Sequence, residues 1–495
     1  MYVHLLNEYT VEADVNCLIL PVFEETLDKL KDNPFLYRDD KHALQILIDK
    51  KIIRAEAKEA YYLPTPLSSY ESILVLGLGK QQACNNDILR QCTGKAVPYF
   101  SQHKKTHLLL DLAAQENLNP ESFIEALTLG DYSFDQLKTD KNEERAHISD
   151  LAIHVTTETD LTLTQIKCDM AYIKCKNANW ARDLGNLPGN LLTPSIMAQK
   201  AINFAKNHPE VSVKILDEKE MAEEKLNCIL AVSSGSEEEA KLITMHYSHP
   251  NATKTLALVG KGLTFDAGGI CIKEGKGMDR MIGDMCGAAA VLGAFKTICE
   301  IEPQINVVCV VPSSENLIDG KSMRPGDIIT ASNGKTVEVT HTDAEGRLIL
   351  CDALAYTCKT FKPDKIVDAA TLTGAVVTTF ANTRAAVISE EQDLIDKLMV
   401  AGDKVHEKLW PLPLDQSYKN MMKGKNADLT NINYNGGGTI TGAAFLSNFV
   451  TDCEWAHLDI AGVANKLDDA TYLKDDCATG FGSRLLVRWI LNEVE

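Results

Sequence analysis

The 495-residue sequence predicts an α/β protein of two domains, a smaller N-terminal domain and a larger C-terminal domain whose mainly parallel central sheet is covered by helices. The chain is longer than one hydrophobic core usually serves, which favours two domains. Short apolar strand candidates alternate with helix candidates, an order typical of parallel sheets covered by helices. A hydrophobic content of 45% and a charged content of 24% are ordinary for a globular protein.

The first part of the chain contains short apolar strand candidates at 17–22 and 73–77, with a helix candidate at 42–58 between them. This alternation predicts a small α/β domain. A longer α/β series begins near residue 170. We therefore place the domains at 1–165 and 166–495.

The second part continues as a regular series of strands and helices. Its strand candidates are 211–216, 255–259, 305–311, 365–368 and 455–460, and its helix candidates include 284–300 and 347–360. In parallel sheets of this kind, ligands bind beyond the carboxyl ends of the strands. A functional site is therefore expected directly after strand 255–259 and before helix 347–360.

Charge and composition exclude several classes of function. The formal net charge of −19 disfavours binding to nucleic-acid phosphates and anionic membranes. Residues 1–165 hold 16 Lys and Arg against 26 Asp and Glu, so a DNA-binding regulator is the disfavoured alternative. We see no secretory signal at the start and no apolar run of the roughly 20 residues that span a bilayer. The 14 cysteines form no C-x-x-C motif and indicate reduced thiols of a cytoplasmic protein.

Two segments concentrate chemically active residues. The glycine-rich segment 260–269 carries Lys261 and Asp266 and is followed by Asp284, and segment 341–347 carries Asp343 and Glu345. Four carboxylates would balance two divalent cations, which together can activate a water and polarise a carbonyl. Lys261 could serve as a nitrogen ligand if the metal lowers its pKa. The pattern predicts a metal-dependent hydrolytic site.

Each feature has a plainer interpretation when it is taken alone. Gly-Lys-Gly after a strand is more often a turn, and Asp-x-Glu before a helix more often complements the helix dipole. Neither interpretation explains why Lys261 and the four carboxylates occur together in these two segments. The sequence has no H-E-x-x-H and no G-x-S-x-G, which excludes those two hydrolase classes.

The motifs resemble those of the leucine aminopeptidase family, also called the cytosol or PepA-type aminopeptidases. The resemblance covers nearly the whole C-terminal domain. Besides the two metal segments, it is carried by residues 180–184 (WARDL), 324–327 (RPGD), 368–375 (DAATLTGA) and 455–462 (WAHLDIAG).

The resemblance implies a centre with two divalent metal ions, manganese or zinc. One ion is expected to bind Asp266, Asp343 and Glu345. The other is expected to bind Lys261, Asp266, Asp284 and Glu345, so that Asp266 and Glu345 bridge the two ions.

The resemblance also implies roles around the metals. Lys273 is expected to polarise the scissile carbonyl, and Arg347 to hold a bicarbonate ion that acts as general base. Met281, Thr371 and Gly374 match positions that line the pocket for the N-terminal side chain, with a preference for Leu or Met.

The expected protein is a cytoplasmic homohexamer that acts on peptides. A different two-metal hydrolase, such as a phosphatase, stays open on the chemistry of the residues alone. Three departures from the family pattern bear on specificity and pH optimum: His341 stands where most relatives have Asn, Ala267 replaces a common Ser, and Phe481-Gly482 follows residues 478–480 where relatives often have Arg-Pro.

Overall fold

A computed structural model describes residues 1–9, 14–65, 69–115, 118–140 and 145–494. The chain forms two compact units. The first comprises Met1–Lys176 and Asp468–Lys474, and the second comprises Asn177–Leu467 and Asp475–Glu495. The predicted division at 165/166 falls inside a continuous helix, Leu161–Asn186, which begins in the first unit and ends in the second.

The first unit is built on one six-stranded sheet. Its strands are β1 (Tyr2–Leu6), β2 (Cys17–Val22), β3 (Ala60–Pro64), β4 (Ser72–Gly77), β5 (His107–Asp111) and β6 (Asp150–His154). Its helices are α1 (Arg38–Asp49), α2 (Asn86–Gln102), α3 (Pro120–Gly130) and the start of α4 (Leu161–Asn186), with 3₁₀ turns at Glu24–Asp32 and Gln81–Ala83. The strand order is β1-β6-β5-β2-β4-β3, and only the β3/β4 pair is antiparallel.

Both faces of this sheet are buried. Along β2, Ile19 packs into one core cluster while its neighbours Leu18 and Leu20 pack into another. Alternate side chains of a strand point to opposite faces, so a strand that is covered on both sides needs an unbroken apolar run. The apolar sequence of 17–22 follows from this requirement.

The second unit contains a nine-stranded sheet and a small three-stranded one. Its strands are β7 (Val211–Leu216), β8 (Lys241–Tyr247), β9 (Thr255–Gly260), β10 (Gly262–Asp266), β11 (Asn306–Asn316), β12 (Ile328–Thr330), β13 (Thr336–Glu338), β14 (Lys365–Ala370), β15 (Ala385–Ser389), β16 (Leu409–Leu412), β17 (Leu429–Thr430) and β18 (Glu454–Asp459). Its remaining helices are α5 (Pro194–Ala205), α6 (Glu218–Glu223), α7 (Asn227–Ser233), α8 (Cys286–Ile301), α9 (Gly346–Phe361), α10 (Gly374–Phe380), α11 (Gln392–Val405), α12 (Gln416–Met421), α13 (Gly438–Leu446) and α14 (Ser483–Val494), with 3₁₀ turns at Met278–Met285 and Ser447–Phe449.

The large sheet is mainly parallel, as predicted. Its order is β16-β15-β18-β14-β9-β11-β8-β7, with β10 paired to β11. The central pairs β18/β14, β14/β9, β9/β11 and β10/β11 are all parallel, and antiparallel pairs occur nearer the edges. The carboxyl ends of β9, β10, β11, β14 and β18 therefore meet at one edge. The predicted fold class, two-domain α/β with a mainly parallel second sheet, is confirmed.

Two sequence-based helix predictions need correction. The helix predicted at 42–58 ends at Asp49, because Lys51, Ala55 and Lys58 adopt positive φ angles of 54°, 59° and 70° that break helical geometry. The helix predicted at 284–300 begins as a 3₁₀ turn, so Asp284 lies just before α8.

Among the residues that the structure describes, one segment satisfies the length and composition test for a membrane span, contrary to the sequence-based prediction. It is Met278–Ile301, and 89% of its most apolar window is buried inside the fold. A core helix of a globular protein passes the same test. We assign the segment to the core of the second unit.

Candidate active site

Lys261 lies at the centre of a buried ion-pair cluster at the carboxyl edge of the large sheet. It directly follows β9, and its Nζ lies 2.8 Å from Asp284 Oδ2 and 3.0 Å from Glu345 Oε1. The same Nζ donates to the Thr371 carbonyl oxygen at 3.0 Å. A Cβ at position 346 would lie 2.6 Å from the Lys261 Cε, so Gly346 is required for the lysine to reach this position.

Lys273 makes a second set of ion pairs on the same edge. Its Nζ lies 2.7 Å from Asp266 Oδ2 and 2.5 Å from Asp343 Oδ1. Asp266 ends β10, and its Oδ1 accepts hydrogen bonds from Gly268 N and Asn316 Nδ2, both at 2.9 Å. About a quarter of the Lys273 side chain is exposed, so this ammonium faces the solvent side of the cluster.

The structure thus brings together all five predicted ligands and Lys273. Oxygen atoms of Asp266, Asp343 and Glu345 lie within 4.8 Å of one another. Lys261 connects this group to Asp284 through its ion pairs with Asp284 and Glu345. Asp266 and Asp343 lie 77 positions apart in sequence but share one ammonium group, because the loop before α9 lies beside the end of β10.

The cluster carries more negative charge than its two lysines neutralise. Burial raises the pKa of Asp284 to about 8 and that of Asp343 to about 6, with Asp266 and Glu345 adding to both increases. Burial and Glu345 also raise the pKa of Asp266. The pKa of Glu345 is lowered, because the two ammonium groups outweigh the effect of burial. Burial favours the neutral form of both lysines, but the carboxylates hold their pKa values above the ordinary range.

This donor set fits divalent metal ions. Glu345 Oε2 is buried and has no hydrogen-bond partner among the described residues. A buried carboxylate oxygen without a partner is costly, and hard divalent cations prefer such oxygen ligands. Bound cations would also offset the unbalanced negative charge that raises the three aspartate pKa values.

Arg347 lies in the first turn of α9, directly after the carboxylate cluster. Its guanidinium is buried, and Nη1 donates to the Asn431 carbonyl oxygen at 2.8 Å. Its Nε is buried without a hydrogen-bond partner in the described part of the chain. Burial lowers the pKa of Arg347 to about 10, which Glu345 and Asp459 partly oppose. A free donor at a helix N-terminus suits an anion.

The three residues predicted to line a substrate pocket occupy different positions along this edge. Thr371 follows β14, and its hydroxyl donates to Asp284 Oδ1 at 2.8 Å, which places it against the cluster. Gly374 begins α10 and is exposed, with no atom within 4 Å of an added Cβ. Met281 is half-buried in the 3₁₀ turn that also carries Asp284.

Sequence analysis missed the residues that join the two segments. Thr342 is fully buried, and its hydroxyl donates to the Gly268 carbonyl at 2.7 Å and accepts from Cys271 N at 2.8 Å. Asn316 Nδ2 bonds both Asp266 and the Thr342 carbonyl. Asn316 ends β11 at the carboxyl edge, and its position at a strand end could have indicated from the sequence that it lies in the site.

Asn431 is a third missed residue and lies in no motif. Its Oδ1 accepts from Thr340 N at 2.8 Å and from His341 N at 3.3 Å, and its Nδ2 donates to the His341 carbonyl at 2.7 Å. His341, a predicted departure from the family pattern, is half-buried, and its Nδ1 accepts from Asp343 N at 3.2 Å. Asn431 therefore fixes both the loop before α9 and, through its carbonyl, Arg347.

The fold and the site are those of a metal-dependent hydrolase with its site at the carboxyl edge of an α/β sheet. Two family models match the chain. The catalytic-domain model of the cytosol aminopeptidase family covers residues 179–487, and the N-terminal-domain model of the same family covers 19–141. The chain belongs to the cytosol aminopeptidase family.

The similarity to known relatives extends over most of the chain. A "Probable cytosol aminopeptidase" of Nitrosococcus oceani is 39% identical over 436 residues, which cover 86% of this chain and 85% of the relative. One from Aeromonas hydrophila is 35% identical, covering 96% and 95%. Among solved structures, a mutant of tomato leucine aminopeptidase matches with a TM-score of 0.87 at 32% identity, covering 99% and 96%. The bottromycin maturation enzyme BotP in complex with Mn matches with a TM-score of 0.84 at 25% identity, covering 98% and 100%.

The chain is accordingly a leucyl-type aminopeptidase, a metal-dependent peptide hydrolase. This confirms the predicted family, fold and enzyme class. It also decides against the phosphatase that residue chemistry alone left open.

Proposed function

We propose that the enzyme binds two divalent metal ions, manganese or zinc, through the five predicted ligands and removes N-terminal residues from peptides. Asp266, Asp343 and Glu345 would hold one ion. Lys261, Asp266, Asp284 and Glu345 would hold the other. The observation that carries this proposal is the convergence of all five side chains, together with a buried Glu345 oxygen that has no hydrogen-bond partner in the described part of the chain.

Lys261 must lose a proton to act as a ligand. Its raised pKa depends on Asp284, Glu345 and Asp266, the carboxylates that the ions would engage. When cations take over these carboxylates, the attraction that keeps the ammonium protonated disappears. Metal binding should therefore release a proton from Lys261.

The metal ions, Lys273 and Arg347 would each have a separate role in hydrolysis. Two metal ions at such a site supply an activated water and polarise the scissile carbonyl. Lys273, the more exposed of the two lysines, would donate to the carbonyl oxygen as negative charge develops on it. Arg347 would hold a bicarbonate ion with its free Nε, placing a general base beside the attacking water.

Met281, Thr371 and Gly374 would line the pocket for the N-terminal side chain of the substrate. The threonine hydroxyl is already engaged by Asp284, so it would present its methyl group. Gly374 leaves open space where another residue would project a side chain. A pocket of this kind suits Leu or Met.

The native enzyme is proposed to be a cytoplasmic homohexamer. Support for the assembly is the family resemblance, and support for the compartment is the name of the curated relatives. The excess of acidic over basic residues in 1–165 argues against DNA as a partner. The burial of Met278–Ile301 argues against a membrane.

The proposal is tested by Glu345→Ala, measured for bound metal and for hydrolysis of leucine p-nitroanilide. We expect both to be lost together, because Glu345 would bridge the two ions. Glu125→Ala is a matched control, since Glu125 is an equally buried glutamate that pairs with Arg90 in the first unit. It should destabilise the chain but keep the metal. An active, metal-depleted Glu345→Ala enzyme would refute the ligand assignment.

A further inference from the structure

All 14 cysteines are free thiols, and two pairs of them have their sulfur atoms close together. The sulfur atoms of Cys358 and Cys453 are 3.9 Å apart, and those of Cys228 and Cys351 lie within 4.8 Å of each other. Both pairs lie in the second unit. They differ in access to solvent, and this difference decides which pair can react.

Cys358 lines a cavity of about 480 Å³ beside the last turn of α9. The cavity wall includes exposed residues, among them Lys359 and Thr451, so small solutes can enter from solvent. Cys453 is partly exposed at the start of β18. In contrast, Cys228 and Cys351 are fully buried.

The surroundings of the pair shift the pKa values of its two thiols in opposite directions. The hydrogen bond between the two thiols lowers the pKa of Cys358 to about 7, more than burial raises it, and Thr451 contributes further hydrogen bonds. The same hydrogen bond and partial burial raise the pKa of Cys453. The thiolate is the reactive form of cysteine, and Cys358 is also the thiol of the pair that lines the cavity. We therefore take Cys358 as the nucleophile of the pair.

We propose that Cys358 and Cys453 form a reversible thiol-modification site, in which hydroperoxides entering the cavity oxidise Cys358 and Cys453 then closes a disulfide. A disulfide needs the sulfur atoms about 2 Å apart. Disulfide formation must therefore close the present gap of 3.9 Å. Cys453 lies directly before β18, and Cys358 lies near the end of α9. The proposal does not rest on the proposed function.

The reaction balances in two steps. The Cys358 thiolate attacks one oxygen of the hydroperoxide, the O–O bond breaks, and the other oxygen takes a proton and leaves as water or an alcohol. Cys358 is now a sulfenic acid. The Cys453 sulfur attacks the Cys358 sulfur, and the sulfenic oxygen leaves as water with the Cys453 proton. Two thiols lose two electrons to one hydroperoxide, and a thiol reductant reverses the change.

The test treats the reduced full-length enzyme with hydrogen peroxide, blocks remaining thiols with iodoacetamide, and maps peptides by mass spectrometry before and after dithiothreitol. We expect a 358–453 cross-linked peptide with the mass loss of two hydrogens, which dithiothreitol removes. Without peroxide, Cys358 should alkylate at least about tenfold faster than Cys228.

Two variants separate the roles of the thiols. In Cys453→Ser, Cys358 should stop at the sulfenic acid and be captured by dimedone. In Cys358→Ser, Cys453 should stay a thiol. The buried Cys228/Cys351 pair is the internal control and should stay reduced. The proposal is wrong if Cys358 and Cys453 are both alkylated after a peroxide dose that oxidises Cys84 or Cys271, or if Cys453 oxidises equally well without Cys358.

Discussion

Asn431→Ala tests whether a residue outside every motif positions the catalytic loop. Asn431 is fully buried, and truncation would remove its short hydrogen bonds to Thr340 N and the His341 carbonyl, at 2.8 and 2.7 Å. Each group left without a partner costs about 1–3 kcal/mol. Since both partners are half-buried and water can satisfy part of the loss, we expect about 2–4 kcal/mol in total.

Part of this loss should favour loop conformations in which Asp343 and Glu345 are displaced, because both residues follow directly in the same loop. If the productive loop conformation loses about 1.4 kcal/mol relative to displaced ones, the activity falls about tenfold. We therefore expect at least a tenfold loss of kcat/KM on leucine p-nitroanilide. The metal concentration needed for half-maximal activity should rise as well.

Asn33→Ala is the matched control. Asn33 is a buried asparagine in the first unit that accepts from Phe35 N and donates to Asp111. It should lower the midpoint of urea unfolding without changing the metal requirement. If Asn431→Ala loses stability as Asn33→Ala does but keeps wild-type kcat/KM and metal requirement, our argument for loop positioning is refuted.

Three further changes probe the site and the core. Gly346→Ala should cut activity at least tenfold, because its methyl group would lie 2.6 Å from the Lys261 Cε, whereas Gly320→Ala, with no atom within 4 Å, should not. Lys273→Ala should keep bound metal, measured by atomic emission, and lose about 100-fold or more in kcat, as removal of an oxyanion donor does; unchanged kcat would exclude the role. Burial raises the pKa of Asp352 to about 6. The contribution of the protonated carboxyl to the free energy of unfolding is therefore complete below about pH 4, and about 3 kcal/mol of it is lost as the pH rises through 6. Asp352→Asn should therefore lose less thermal stability than wild type between pH 4.5 and 7.5, and an equal loss in both would contradict the assignment.

Much of the site could be predicted because several of its ligands lie directly beside recognisable strands or helices. Lys261 directly follows a recognisable apolar strand, and Asp343 and Glu345 directly precede a recognisable helix. Parallel strands bring such positions to one edge whatever their separation in sequence. The glycine-rich segment was harder to interpret. β10, which ends in Asp266, is short and has the sequence GLTFD, so it lacks a continuous apolar strand signal although most of its positions are buried.

The parts that could not be predicted depend on long-range contacts. Asn431 bonds a loop about 90 residues earlier, and neither residue type nor spacing marks it. The early end of α1 depends on positive φ angles at Lys51 and Ala55. The sequence does not indicate these angles, because neither position is a glycine. Burial of the remaining polar groups, such as Arg347, follows from how the elements pack together.

The most direct test of the central claim is hydrolysis of leucine p-nitroanilide by the purified enzyme, after chelation and again after addition of manganese or zinc, with N-acetyl-leucine p-nitroanilide as control. We expect chelation to abolish cleavage and either metal to restore it, and we expect the acetylated substrate to resist cleavage because the free amine is required. Cleavage that persists without metal, or equal cleavage of the acetylated substrate, would contradict a metal-dependent aminopeptidase site built on these five ligands.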